Sequence, residues 1–253
     1  MQNEPLVSVI TPAYNAERYI EDTIKSVINQ QYQNWEHLIV LDCNSKDSTG
    51  EIVKRFSEKD PRVKLITSPL AKGAANNRNV ALEIARGDYI ACLDADDLWT
   101  PDKLQKQITF MAQNNYGFSF TGFRRISQDN SVQGYVHQMP EKVSYNDLLK
   151  NNCIACLTAV FRKDLYGDIR FQEHGWEDMS FWLQILKRTP YAYSVNEPLA
   201  LYRIVKGSRS NNKIFAAKLR WNTYRLVEKM SLAKSCYLFS IYALTAVFKW
   251  KKF

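Results

Sequence analysis

The chain has 253 residues, 45% hydrophobic and 24% charged, enough to bury a self-sufficient core and unlike a disordered, collagenous or repeat-built composition. Its net charge of +8 is unevenly spread: residues 201–253 hold 12 Lys/Arg against the single acid Glu228, and the other 200 residues sum to −3, which excludes a globally basic nucleic-acid binder and points to a local anionic partner. Five scattered Cys argue against a disulfide scaffold and for a reducing compartment, and the opening MQNEPLVSVI lacks the basic start and apolar run of a signal peptide.

In chain order, LVSVITPAY reads as a β-rich run closed by Pro12, and residues 18–30 place Ile20, Ile24, Val27 and Ile28 on one helical face. HLIVLD is a second strand with almost no polar alternation, as expected where both faces of a sheet are covered. NSKDST supplies a turn and GEIVKRFSEKD a helix; VKLIT is a third strand, GAANNRNVALEIARG holds a helix, and DYIACLD is a fourth strand ending in acids. Alternation of this kind predicts an α/β domain with a mostly parallel central sheet and helices on both faces.

PDKLQKQITFMAQN continues as a helix. YGFSFTGFRRIS and CLTAVFRKDL read as strands, separated by a loop-rich polar stretch over residues 128–142. DMSFWLQILKR is a helix with Phe181, Trp182, Ile185 and Leu186 as its apolar stripe, SVNEPLALYRI a strand, and residues 213–230 one long basic helix. The thirteen uncharged residues CYLFSIYALTAVF are shorter than the roughly 17–25 that span a bilayer and predict a buried or interfacial helix. The simplest division is a catalytic domain over residues 1–210 and a basic, partly apolar helical tail over 211–253.

The strongest chemical feature is LDADD, where Asp94, Asp96 and Asp97 follow an apolar strand. In open α/β sheets ligands bind at the carboxyl ends of the strands, and three acids within four residues repel one another unless a cation or donors neutralise them. A divalent ion shared with substrate phosphates fits, as does an Asp-rich turn capping the next helix. Thr11, Pro12 and Tyr14 end the first strand and Asp42 the second, offering a hydroxyl, a ring for stacking on a base and an acceptor for an imide N–H; turn and cap roles are open to the same residues. Arg78 follows Gly73 at a helix start suited to a diphosphate, or is an ordinary salt-bridge residue. Glu177-Asp178 can serve as catalytic carboxylates or as acids favoured by a helix dipole. Cys153-x-x-Cys156 lacks a second pair or a His cluster and reads as core cysteines.

Taken in order, VSVITPAYN, LDCNSKDST, GAANNRN, GDYIACLDADD and WEDMSFW resemble the family 2 inverting glycosyltransferases of the A-type nucleotide-sugar fold, over residues 5–205. The resemblance implies a nucleotide-diphospho-sugar donor bound by Thr11, Pro12, Tyr14, Asp42, Arg78 and Asp94, a divalent metal, Mn²⁺ or Mg²⁺, on Asp96, and Asp178 as catalytic base. Trp99, His174, Trp176 and Glu177 are the acceptor-side candidates. Where the family has two adjacent acids after the second strand this chain reads Asp42-Cys43, and where many members have a His after the Tyr-Arg pair it reads Tyr202-Arg203-Ile204, leaving Lys206 or Arg209 for phosphate contacts.

The expected activity is transfer of a sugar, from a UDP-sugar on the family pattern, to a hydroxyl of a glycan or lipid-linked acceptor in bacterial surface polysaccharide synthesis, at the cytoplasmic face of the membrane. The basic tail would meet an anionic membrane surface through its Lys and Arg while Leu238, Phe239, Ile241, Tyr242 and Phe248 enter the headgroup boundary; a closed core or a homo-oligomer seam competes for the same apolar residues. A sugar nucleotidyltransferase would carry a Gly-rich loop after the first strand, absent from TPAYNAERY, and a non-catalytic adaptor would not need Asp96 and Asp178. A dinucleotide enzyme lacks its G-x-G-x-x-G here.

Overall fold

The computed structural model describes residues 4–131, 133–137, 139–205 and 213–250, with side chains of the last helix described to Leu244. Lys206 and Arg209, as well as the side chain of Phe248, lie outside the described residues.

The first half alternates strictly: β1 (Val7–Ala13), α1 (Ile20–Ile28), β2 (Trp35–Leu41), α2 (Thr49–Ser57), β3 (Val63–Thr67), α3 (Ala74–Ile84) and β4 (Tyr89–Cys92). Strands β3, β2, β1 and β4 lie side by side in parallel, so the carboxyl ends of β1, β2 and β4 open on one edge. β5 (Leu98–Trp99), α4 (Lys103–Asn114), β6 (Phe118–Ile126), β7 (Gln133–His137), β8 (Lys142–Val143), α5 (Tyr145–Lys150), β9 (Val160–Arg162), α6 (Glu177–Ile185) and β10 (Ala192–Arg203) follow. The sheet runs β3-β2-β1-β4-β9-β6-β10-β5, with β7 beside β6 and β8 beside β10. β9 is antiparallel to both its neighbours, so β6 and β10 recover the direction of β4 and the sheet stays largely parallel.

Both faces are covered because successive strand residues feed opposite cores. Val9, Ile39 and Ala91 pack with Ile24 of α1, Val53 of α2 and Leu104 of α4. Ile10, Leu38 and Cys92 pack with Leu82 of α3, Leu148 of α5 and Phe181 and Trp182 of α6. Rings gather under α6, where Phe171 stacks on Phe181 with centroids 3.9 Å apart and Phe118 meets Trp182 at 5.3 Å.

Four expectations are corrected. The polar stretch over residues 128–142 is not all loop: Gln133–His137 pairs antiparallel with β6 and extends the sheet. CLTAVFRKDL contributes only three strand residues, its first part forming a 3₁₀ turn at Cys156–Thr158. Residues 213–230 are not one continuous α-helix: α7 (Lys213–Asn222) widens into a π turn at Thr223–Val227, and Lys229 turns left-handed at φ 49° before α8 (Leu232–Trp250) begins. The apolar residues of α8 are also divided differently. Leu238 is buried in the core with Tyr224 and Met230, Phe239 meets Trp221 edge-on at 5.6 Å, and Tyr242 lies under the Arg220 guanidinium at 4.8 Å, whereas Leu232, Tyr237 and Leu244 face outward. Among the described residues no helix is long and apolar enough to cross a membrane.

Candidate active site

The acid-rich loop after β4 is held from two sides. The Thr23 hydroxyl of α1 bonds the Ala95 and Asp97 carbonyls at 3.0 and 2.9 Å. Arg203, at the end of β10, donates its backbone amide to Asp97 Oδ1 at 2.9 Å and its Nε to the Asp96 carbonyl at 2.7 Å. Asp97 is thereby turned inward, where burial, then repulsion from Asp96 and Asp94, pushes its carboxyl well above the usual range. Asp94 and Asp96 stay at the sheet edge. Burial, then the neighbouring Asp94 charge, raises Asp96 to about 6.

Asp94 is paired. Arg78, on the first turns of α3 and 6% exposed, meets Asp94 Oδ1 at 2.5 Å through Nη2 and Glu177 Oε2 at 3.3 Å through Nη1. This guanidinium joins the β4 loop to the start of α6. Asp42 sets where α3 begins: its Oδ2 accepts from the Gly73 amide at 2.6 Å and its Oδ1 from the Asn44 amide at 2.9 Å. Gly73 takes φ 81° there, a conformation that a side chain would strain.

These elements enclose a cavity of 310 Å³. Arg78, Asp94, Glu177 and Asp178 form its polar side, with Glu173 and Trp176 at the approach to α6. Burial raises the Asp178 carboxyl to about 6 despite the Met179 amide donating to Oδ1 at 2.6 Å. At neutral pH the group is therefore ionised yet retains appreciable proton affinity, as a general base requires. The opposite wall is apolar and comes from α7: Phe215, Ala216 and Leu219.

Sequence reasoning and geometry part at Thr11, Trp99 and His174, and Pro12, Tyr14, Asp42 and Asp96 also stand outside the cavity lining. Thr11 is fully buried with its Oγ1 2.8 Å from His37 Nε2, so its hydroxyl is engaged inside the sheet and is not presented to a ligand. Trp99 is a core residue: it is 3% exposed, donates Nε1–H to the Leu157 carbonyl at 2.8 Å and has Lys103 Nζ 4.0 Å above its ring, which removes it from the acceptor side. His174 is exposed and stands outside the cavity lining that includes its neighbours Glu173 and Gly175. Pro12 and Tyr14 remain at the strand edge, Tyr14 largely exposed and open to stacking. The C-terminal wall has no counterpart in the sequence reading, which marks Arg203 only as part of the Tyr202-Arg203 pair and not as the group that holds the acid loop.

Of the acids at this edge, Asp94 is tied to Arg78 and Asp97 to the Arg203 amide, which leaves the Asp96 carboxylate for a divalent ion. Among the described residues no ion pair is made by the Asp96 carboxylate; burial and the Asp94 charge raise it, and the Arg203 guanidinium draws it partly back down. No group of three or more His, Cys, Asp or Glu among the described residues forms a complete cage, so an ion here would depend on oxygens from substrate as well. Cys156 borders the cavity as a buried thiol in contact with Cys92, and hydrogen bonding to Cys92 and burial keep it protonated.

The family model described as glycosyl transferase family 2 matches residues 8–170. The chain is 44% identical over 248 residues to TuaG of Bacillus subtilis, a glycosyltransferase assigned to teichuronic acid biosynthesis, covering 97% of this chain and 98% of that protein. It is 41% identical over 234 residues to the Escherichia coli UDP-Glc:alpha-D-GlcNAc-diphosphoundecaprenol beta-1,3-glucosyltransferase WfgD, covering 92% and 90%. In fold it is similar to S. aureus TarS in complex with UDP-GlcNAc, with TM-score 0.70 at 20% identity over 94% of this chain and 71% of that one. The mannosyltransferase PcManGT of Pyrobaculum calidifontis, in complex with GDP-Man and Mn²⁺, gives TM-score 0.70 at 20% identity over 96% and 74%.

Proposed function

The chain belongs to glycosyl transferase family 2, and on that premise we propose that it moves a sugar from a UDP-sugar to a hydroxyl of a lipid-linked glycan, with inversion, during assembly of a bacterial surface polysaccharide. The observation that carries this reading is the cavity whose lining brings the Asp178 carboxylate together with Arg78, a guanidinium suited to a departing diphosphate and held by Asp94. The name of WfgD supports the donor and acceptor classes, UDP-Glc and GlcNAc-diphosphoundecaprenol, and that of TuaG, teichuronic acid biosynthesis, supports the polysaccharide pathway.

In the proposed reaction the acceptor O–H gives its proton to the Asp178 carboxylate while its oxygen bonds to the anomeric carbon. The bond from that carbon to the diphosphate breaks, and its electron pair leaves with the nucleoside diphosphate. Attack on the face opposite the leaving group inverts the centre. Arg78 orients the diphosphate side and Asp94 fixes Arg78. Pro12, Tyr14 and Asp42 serve the base end of the donor, and Trp176 and Glu177 the acceptor side. When bound, a Mn²⁺ or Mg²⁺ ion held by Asp96 and the donor phosphates would offset the charge of the diphosphate. The cytoplasmic face of the membrane, where the C-terminal helices could meet an anionic surface, is the proposed place of action.

The test is a panel of nucleotide sugars with Mn²⁺ or Mg²⁺ and a synthetic N-acetylglucosaminyl diphosphate carrying an alkyl chain, read as nucleoside diphosphate release and glycan product. One UDP-sugar should turn over, with acceptor-dependent release and an inverted linkage. Retention of configuration, or synthesis of nucleotide sugar from sugar phosphate and nucleoside triphosphate, would overturn the reading.

A further inference from the structure

Helix α6 begins without a side-chain cap, because its N-cap residue is Trp176, which has no oxygen to offer the free amides of the first turn. Asp178 lies in that turn. Within the turn the Met179 amide bonds Asp178 Oδ1, and the N-cap residue that leads into it is held from the C-terminal segment. The wholly buried Thr223 hydroxyl accepts from the Trp176 amide at 2.9 Å, donates to the Leu219 carbonyl at 3.1 Å and lies 3.3 Å from the Ser180 hydroxyl. Gly175 fits this contact: a Cβ there would come within 2.7 Å of Thr223 Oγ1 and 2.8 Å of Ser180 Oγ. Thr223 also opens the π turn, where the helical ladder slips by one residue and side chains are re-aimed, a device frequent at functional sites. Gly175, Trp176, Glu177 and Asp178 all line the cavity, so the hydroxyl stands directly behind the wall that carries the carboxylate.

We propose that Thr223 is a positioning residue for sugar transfer, its hydroxyl fixing residues 175–178 so that the Asp178 carboxylate meets the acceptor hydroxyl. The role needs a group that accepts and donates at once, which the buried Thr hydroxyl provides and the equally shaped Val does not. Arg220, one turn earlier, adds a second hold on the same turn through Met179 Sδ at 2.8 Å. The inference rests on Asp178 being the base, and its test separates the two.

Thr223→Val, Thr223→Ser and Asp178→Asn are compared with the parent by UDP release with and without the alkyl acceptor, by calorimetry of UDP with Mn²⁺, and by thermal melting. Small misplacements of a reacting group cost on the order of 10²-fold in rate, so Thr223→Val should lower kcat roughly 10- to 100-fold while the Kd for UDP stays within about twofold. Thr223→Ser should regain most of the rate. A Thr223→Val protein with the parent's kcat, even if it melts lower, would overturn the proposal by showing a purely structural contact; so would a folded Thr223→Ser protein as slow as Thr223→Val. Should Thr223→Val not fold, Gly175→Ala presses the same turn from the other side: loss of kcat with donor binding retained supports the proposal, and parent kcat overturns it. Asp178→Asn at the parent rate would overturn the base assignment, and the positioning role with it, in its own arm of the experiment.

Discussion

Asp178 and Asp96 are both pushed to about 6, and their expected failures differ. Removing a positioned base costs on the order of 10²–10⁴ in rate, so Asp178→Asn should lose kcat by that factor with the Kd for UDP little changed. The parent's rate should rise with pH through about 6 and level off above it, because the carboxylate must be ionised to take a proton. Stability should move the other way. A carboxyl whose folded-state affinity lies above its unfolded value of 3.8 destabilises the fold once ionised, and the penalty is relieved as pH falls from about 6 towards 3.8. Asp178→Asn should therefore melt no lower than the parent at pH 7, and a large drop would assign the side chain a structural duty. For Asp96→Asn the expected loss is in binding: calorimetry of UDP should lose its Mn²⁺ dependence while the melt is retained, and unchanged metal dependence would remove Asp96 as the ligand.

At the level of elements, β2 shows how far residue pattern reaches. HLIVLD reads as a covered strand; the observed strand starts two residues earlier and ends at Leu41, and all but the last of its seven residues are buried, Glu36 and His37 among them. Glu36 is retained because burial, which disfavours its charge, is overcome by Lys64 Nζ at 2.7 Å, the Arg86 amide at 2.8 Å and the Ser8 hydroxyl at 2.7 Å, holding it down at about 2. Glu36→Ala should cost roughly 1–3 kcal/mol in urea unfolding at pH 7, because it leaves the buried Ser8 hydroxyl and the Arg86 amide without their acceptor, while Lys64 and Arg86 can turn their charges to solvent. This contribution is full above the unfolded value of 4.5 and is lost as pH falls towards 2, so the gap between parent and variant should narrow at pH 3. The same strand character explains what was legible and what was not. That β1, β2 and β4 carry chemistry at their carboxyl ends follows from sequence alternation alone. Which way Thr11, Asp97 or Trp99 points does not, since a strand covered on both faces has no polar stripe to mark an outer side, and Asp97 is turned inward by a backbone amide at Arg203, far along the chain. The apolar wall of α7 was equally hidden, because Phe215 and Leu219 meet the cavity only through the return of the chain over α6.

At the scale of the whole molecule, charge is concentrated in the C-terminal fifth of the chain. Glu228, the only acid in residues 201–253, is spent internally: its side chain is 2% exposed, pairs with Lys187 at 2.9 Å and accepts from Tyr145 at 2.5 Å and Gln184 at 2.7 Å. Lys218, Lys229 and Lys234 are exposed and unopposed by any acid of the same segment, beside the outward Leu226, Leu232, Tyr237 and Leu244. Positive charge interleaved with exposed apolar side chains complements an anionic bilayer surface, where each well-placed Lys contributes about 1 kcal/mol. A homodimer seam would use the apolar residues and leave the charges idle, so salt divides the two readings: attraction between exposed charges is screened within about 8 Å at physiological ionic strength, whereas apolar contact persists. The full chain should co-sediment with phosphatidylglycerol vesicles and not with phosphatidylcholine vesicles, and release as salt is raised. Replacing Lys218, Lys229 and Lys234 together by Glu should reduce binding to the anionic vesicles by on the order of 10²-fold or more, with UDP binding and melting unchanged because none of the three lines the cavity. Binding that ignores both salt and these substitutions would assign the surface to apolar association, and a dimer persisting at high salt would name its occupant.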